Sequence, residues 1–402
     1  MAFHNLQERV PVTVEITKRI KRLQQGLQAR EAGAALIMEK VDLFYFSGTM
    51  QHAYLFVPAE GTPLLMVKRD EVRARRESPL DRIVRVGGLK DLPVLINDEF
   101  GRIPRSLGLE LDVLPVNQYE FLQSLFPGVP FFDAWPVIRE VRKIKSAHEL
   151  AVMVRAGQVA AQVYRSIPGL LIPGRTEMDV AAGMTSLAMS LGQQNMIRAR
   201  GFNNEMHTWH VVSGRCGAEI GGLDAPFAGC GLSPAFPAGS SFKPIVEGEA
   251  VLVDFGICLD GYQVDQTRMF AIGSPPAQIR DAYQALQEIE ALLLERVKPG
   301  AVCEDFYHFG LDLAAGLGYR ENFLGVDGYR IKFIGHGIGL EIGELPFLAP
   351  GHRYVLEPGM TFALELKMVF PEHGAVGFEN TILVTETGWE KLTAADERFI
   401  CV

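Results

Sequence analysis

The sequence predicts two domains of different class, an α/β domain over residues 1–140 and an α+β domain over residues 141–402. Three observations lead there. A chain of 402 residues exceeds one ordinary domain of about 150 residues. Its first third alternates helix-period segments with short apolar runs. The remainder gathers its strands and helices into separate blocks, the mark of an α+β arrangement.

Taken in order, Glu15–Ala32 carries Ile16, Ile20, Leu23 and Leu27 at helical spacing and stops at Gly33. Ala34–Met38, Ala53–Val57, Leu64–Val67, Leu92–Ile96 and Leu107–Leu111 are short apolar runs that read as strands. No glycine-rich phosphate loop follows any of them, so nucleotide binding finds no support. Lys68–Arg76 (KRDEVRARR) interleaves both charges and reads as a solvated helix face. Past Trp135-Pro136 a long helical pattern covers Ser146–Ile167, with Ser146 and Glu149 at capping-box spacing, and Pro168–Gly174 breaks it. Thr176 with Asp179 starts a second helix running to Leu191. A Gly/Pro-rich loop, Gly214–Gly239, precedes strands between Ala250 and Ile272. Helices follow over Gln278–Val297 and Glu304–Ala315, and Thr361–Thr393 reads as antiparallel strands.

Composition narrows the partners. Hydrophobic residues at 48% and charged residues at 22% exclude a disordered or fibrous chain. A net charge of −9 without a dense Lys/Arg run excludes a nucleic-acid backbone and an anionic membrane surface as partners. Cys216, Cys230, Cys258, Cys303 and Cys401 are widely spaced and form no CxxC pair. That spacing argues against a disulfide scaffold or a zinc knuckle and for a reducing compartment. With a polar N-terminal stretch and no apolar run of about 18 residues, the expected location is the cytoplasm.

The chemistry is carried by carboxylates embedded in apolar strands. Asp254 lies in AVLVDFG, Asp265 in YQVDQTRMF, Glu365 in TFALEL, and Glu379 just ahead of NTILV. A buried carboxylate must be paired, hydrogen-bonded or bound to a cation. Set against these four acids, a nearby base such as Arg268 is too little to pair them all, so the set points to a metal site. His336, framed by glycines in IGHGIGL, supplies a fifth donor beside which backbone and ligand can approach closely. Two Asp, two Glu and one His suit a pair of divalent ions such as Mn²⁺, Co²⁺, Zn²⁺ or Fe²⁺, and a pair can share an activated water for amide hydrolysis.

These segments, in this order, resemble the creatinase/prolidase/aminopeptidase P/methionine aminopeptidase family: DFG…GYQVDQTR, GHGIGLEIGELP, LEPGMTFALEL and GAVGFENTILVTETG. RIKRLQQGLQAREAGAALIMEKVDLFYFSG resembles the start of a prolidase-type N-terminal domain, and IREVRKIKSAHELAVMVRA its junction helix. The resemblance implies a pita-bread catalytic domain over 141–402 behind a creatinase/prolidase-type domain over 1–140. It implies two metal ions held by Asp254, Asp265, His336, Glu365 and Glu379, with Glu365 as the base that takes the proton of the bridging water. It further implies Xaa-Pro dipeptidase or aminopeptidase activity on a short peptide or small molecule, and a homodimer.

The sequence departs from that pattern in the surroundings of the cage. The position seven residues after His336, a helper histidine in the hydrolytic members, is Gly343. Upstream of Asp254, where another histidine is usual, Ser233–Pro237 around Phe236 has none. The Arg frequent two residues before the last Glu is Gly377, and Leu366 stands where Pro is common after the first Glu. His207 and His210, in EMHTWHVVSG, are the candidates to take over catalytic and substrate-binding work, with Gly343 marking the altered substrate wall. His373 and Glu344 read as solvent-facing. Two alternatives remain: a non-peptidase enzyme acting on a small nitrogenous or amino-acid-like compound with the same metals, and a non-catalytic binding protein.

Overall fold

The computed structural model describes residues 10–206, 209–222 and 224–402. The chain divides into two compact units, residues 1–142 with 201–203, and residues 143–200 with 204–402.

In the first unit helices and strands alternate: α1 (Val10–Ala29), β1 (Ala34–Ile37), α2 (Lys40–Ser47), β2 (Ala53–Pro58), β3 (Leu64–Val67), α3 (Glu71–Glu77), β4 (Ile83–Arg85), α4 (Leu92–Phe100), β5 (Leu107–Leu109), α5 (Val116–Leu125), β6 (Phe131–Asp133) and α6 (Trp135–Arg142). Among the described residues the strands form one sheet in the order β4-β3-β2-β1-β5-β6. Ile16, Ile20, Leu23 and Leu27 are all buried, as their spacing predicts for one helix face. The run Leu92–Ile96 is helical, not a strand. Leu92 and Ile96 are buried four residues apart while Val94 between them is 61% exposed, and Pro93 opens the first turn. The basic run forms α3, where Arg73–Glu77 and Arg75–Glu71 pair across one helical turn.

The second unit begins with α7 (Ala147–Leu170) and α8 (Glu177–Ser190), each opened by a reciprocal capping box, Ser146/Glu149 and Thr176/Asp179. Helix α7 continues through Pro168, because a proline in the last turn removes little of the hydrogen-bond ladder. Then come β7 (Trp209–Ser213), β8 (Ala250–Phe255), β9 (Ile257–Leu259), β10 (Tyr262–Val264), β11 (Thr267–Ala271), α9 (Ala277–Leu294), α10 (Cys303–Gly316), β12 (Gly335–Ile338), β13 (Ile342–Leu348), β14 (Thr361–Phe370), β15 (Gly374–Val384), β16 (Trp389–Lys391) and β17 (Ile400–Cys401). Among the described residues the large sheet runs β13-β12-β14-β15-β11-β8-β7, with β16 beside β15 and β17 beside β11. The aliphatic face of α9 (Ile279, Leu286, Ile289, Leu293) packs into one core with Leu364, Leu366, Met368, Phe378 and Ile382. Burying each such side chain is worth about 1.5–3 kcal/mol, which holds the long β14–β15 pair flat against the helix.

The glycine-rich loop differs from the expectation of free thiols. Cys216 and Cys230 are joined by a disulfide with Cα atoms 5.3 Å apart, because the loop doubles back on itself. Sequence spacing alone cannot reveal that return. Phe227 and Ala228 of the same loop are buried.

Candidate metal centre

The centre is made by strand register. His210 of β7 is opposite Asp254 of β8; Asp254 is opposite Thr267 of β11; Thr267 is opposite Glu379 of β15; and Glu379 is opposite Glu365 of β14. Residues in register share a face of the sheet, so side chains more than a hundred positions apart converge in one row. His336 enters from β12, in register with Ala363 of β14. Asp265 sits in the turn between β10 and β11, where its backbone N–H donates to Thr381 Oγ1 at 2.8 Å.

Two overlapping donor groups result. One oxygen or nitrogen each from Asp265, His336 and Glu379 lies within 4.8 Å of the others, and the same holds for Asp254, Glu365 and Glu379. The five residues predicted from sequence are therefore brought together. Gly337 O lies 3.2 Å from His336 Nδ1. A proton on Nδ1 donated to that carbonyl leaves the Nε2 lone pair for a ligand. Nε2 lies 4.0 Å from Glu365 Oε2. Glu379 Oε2 accepts from Thr267 Oγ1 at 2.6 Å, while Glu379 Oε1 is buried with no hydrogen-bond partner. A buried carboxylate with an orphaned oxygen, grouped with an imidazole and a second carboxylate, suits a divalent ion, so the residues fit the cation their chemistry implies.

Arg268 neutralises none of these acids. It is buried, and its guanidinium donates to Thr267 O, Glu379 O, Asp396 O and Asn380 Oδ1. The cation at the site is Lys367, which the sequence reading passed over. Its Nζ donates to Asp254 Oδ2 at 2.6 Å and to Glu365 Oε1, and lies 3.7 Å from Glu379 Oε2. The side chain is 2% exposed. The signal was present: in TFALELKMVF, Lys367 follows Glu365 by two and must share its face.

The electrostatics follow from burial. Desolvation, then the charge of Asp254, push Asp265 well above the usual carboxylate range, and desolvation with Asp265 does the same to Glu379. At Asp254 burial also works against ionisation, but Lys367, His210 and Thr267 together outweigh it and hold the carboxyl below its ordinary value. Burial opposes charge on Lys367 as well, yet Asp254, Glu365 and Glu379 raise it well above the ordinary lysine value.

Other sequence candidates fall as follows. His210 stands beside Asp254 with its ring 6.2 Å from that of Phe227. His207 lies outside the described residues. Gly343 adopts φ 82°, the left-handed region in which a histidine would be strained. Glu344 is buried rather than solvent-facing, because Lys145 Nζ donates to it at 2.8 Å. His373 is half-buried in the β14–β15 turn. The glycines framing His336 admit neighbouring strands: a Cβ on Gly335 would lie 2.7 Å from Ala363 O, and one on Gly337 2.3 Å from Glu344 O.

A carboxylate–histidine centre on this sheet defines a metal-dependent hydrolase. The profile of metallopeptidase family M24 matches residues 151–386, that of the creatinase/prolidase N-terminal domain matches residues 19–144, and the chain belongs to family M24. It is 28% identical over 373 residues to the probable dipeptidase PepE of Mycobacterium bovis, covering 89% of each chain. It is 26% identical over 393 residues to the Xaa-Pro dipeptidase of Pyrococcus horikoshii, covering 96% of this chain and 99% of the other. The solved Xaa-Pro dipeptidase from Bacillus anthracis matches with a TM-score of 0.82 at 24% identity, over 96% of this chain and 100% of that one. The fold is thus a creatinase/prolidase-type domain followed by a pita-bread domain. No described helix is long and apolar enough to cross a membrane.

Proposed function

We propose that this protein hydrolyses the amide bond of short peptides of the Xaa-Pro type, with domains at 1–140 and 141–402 and its catalytic centre at Asp254, Asp265, His336, Glu365 and Glu379. The observation that carries the reading is the register row of Asp254, Glu379 and Glu365, beside which Asp265 and His336 complete the two donor groups. Asp265, His336 and Glu379 would hold a divalent ion, which would supply a water of lowered pKa and polarise the substrate carbonyl. Glu365 takes the proton of the attacking water and passes it to the leaving amine. His210, beside Asp254, contacts the substrate. Manganese as the ion, a homodimer and a cytoplasmic location belong to the same proposal and rest on family resemblance and composition.

The test is release of free proline from Xaa-Pro dipeptides by protein loaded with Mn²⁺, Co²⁺ or Zn²⁺. Release that stops on chelation and returns with the ion supports the reading; no release with any of the three sinks it. The bare Gly343 supports a second reading, hydrolysis of a small amino-acid-like amide that is not a peptide. A product spectrum from a metabolite mixture separates the two.

A further inference from the structure

We infer that the ammonium of Lys367 fills the second cation position of this centre, so that the protein binds one divalent ion where its five ligand-type side chains suggest two. The inference rests on the metallopeptidase reading above and concerns how that site is filled.

The two donor groups are not equivalent. Among the described residues neither Asp265 nor His336 is paired with a lysine or arginine, and Glu379 Oε1 is buried and unpartnered. Asp254, Glu365 and Glu379 converge instead on Lys367 Nζ, at 2.6 Å for Asp254 and 3.7 Å for Glu379, with Glu365 in direct contact. A divalent ion bound to those same oxygens would sit about 2.0–2.2 Å from each. It would overlap the ammonium or press a double positive charge against it.

Lys367 has little freedom to leave. Its side chain is 2% exposed. The Phe227 ring lies 5.5 Å from Nζ on another side. The stem lies against Gly377, its partner across β14 and β15, where a Cβ would stand 3.4 Å from Lys367 Cγ, in van der Waals contact. A monovalent, immobile donor of three hydrogen bonds therefore balances the acids around Asp254 and orders Glu365.

The experiment is metal stoichiometry. Wild-type protein, Lys367→Met and Lys367→Gly are saturated with Mn²⁺, freed of unbound ion by gel filtration and analysed by mass spectrometry. The electron paramagnetic resonance spectrum of the wild type is recorded alongside. The expected result is one equivalent with an isolated-ion hyperfine pattern in the wild type, and a second equivalent in at least one variant. Two equivalents, or an exchange-coupled pair, in the wild type overturn the inference while leaving the metallopeptidase reading intact. One equivalent in all three proteins also overturns it, because the lysine then excludes nothing. No bound ion in any of them overturns both. The wild-type spectrum decides the matter even where a variant fails to fold.

Discussion

Lys367 of β14 and Gly377 of β15 face each other across the sheet, and the missing side chain of Gly377 lets Thr267 and Leu252 close in beside the Lys367 stem. A Cβ at 377 would lie 2.7 Å from Thr267 Cγ2 and 2.9 Å from Leu252 Cδ1, closer than real contacts allow. Gly377→Ala is therefore expected to cost about 1–3 kcal/mol by overpacking. A urea melt against wild type measures it, and an unchanged midpoint would mean that the strands yield freely.

Asp254 and Asp265 are expected to differ in metal binding, although both are ligand-type residues. Among the described residues Asp265 is not paired with a lysine or arginine, whereas Asp254 is taken by Lys367. Asp265→Asn should lose the bound Mn²⁺, and Asp254→Asn should keep it with at most a modest fall in affinity. Equilibrium dialysis decides; equal loss in both variants would place the ion between the two groups.

At His336 the critical feature is the neighbouring backbone. A Cβ on residue 337 would stand 2.3 Å from Glu344 O and 2.4 Å from Leu345 C, at the irregular stretch where β12 pairs with β13. Gly337→Ala should push those strands apart, move the imidazole and reduce hydrolysis by at least about tenfold, since ligand positions tolerate little displacement. Metal affinity and kcat measured together would reveal it; full activity would show that β13 can shift without His336.

How much of this was legible beforehand follows from distance along the chain. The five ligand-type residues stood out because charge inside an apolar strand is locally visible. Their convergence needed only that their strands pair in register. The helix at Leu92–Phe100 was missed because a run of apolar residues this short carries no decisive period; Pro93 and the burial of Leu92 with Ile96 settle it. Lys367 was overlooked because a lysine is ordinarily a surface residue. Its burial depends on pairing with acids up to 113 positions away. Glu344 was misread as exposed for the same kind of reason, since its partner Lys145 is 199 residues distant.

Thiol chemistry offers a check on burial. Desolvation pushes the Cys258 thiol up to about 11 and that of Cys303 up to about 12. At pH 8 their thiolate fractions are on the order of one part in a thousand or less. Cys216 and Cys230 are joined, and Cys401 is exposed. Native protein should therefore consume one equivalent of maleimide quickly, at Cys401. Peptide mapping that found rapid labelling at Cys258 or Cys303 would contradict the packing described.

In the first unit, stability should depend on one buried ion pair. Arg142 Nη1 donates to Asp42 Oδ1 at 2.7 Å, and the two side chains are 2% and 0% exposed. Arg142 also lies 5.7 Å from the Trp135 ring centroid, and Asp42 is one cause, after burial, of the raised pKa of the neighbouring Glu110. Removing one member strands the other charge in a medium that cannot solvate it, so Asp42→Leu and Arg142→Met should each cost about 3–5 kcal/mol. Replacing both by apolar residues of similar size, Asp42→Leu with Arg142→Met, removes the desolvation cost together with the attraction. The double variant should therefore be markedly more stable than either single one, and urea denaturation of the four proteins gives the coupling. If the two single losses simply add, Asp42 and Arg142 are not energetically paired.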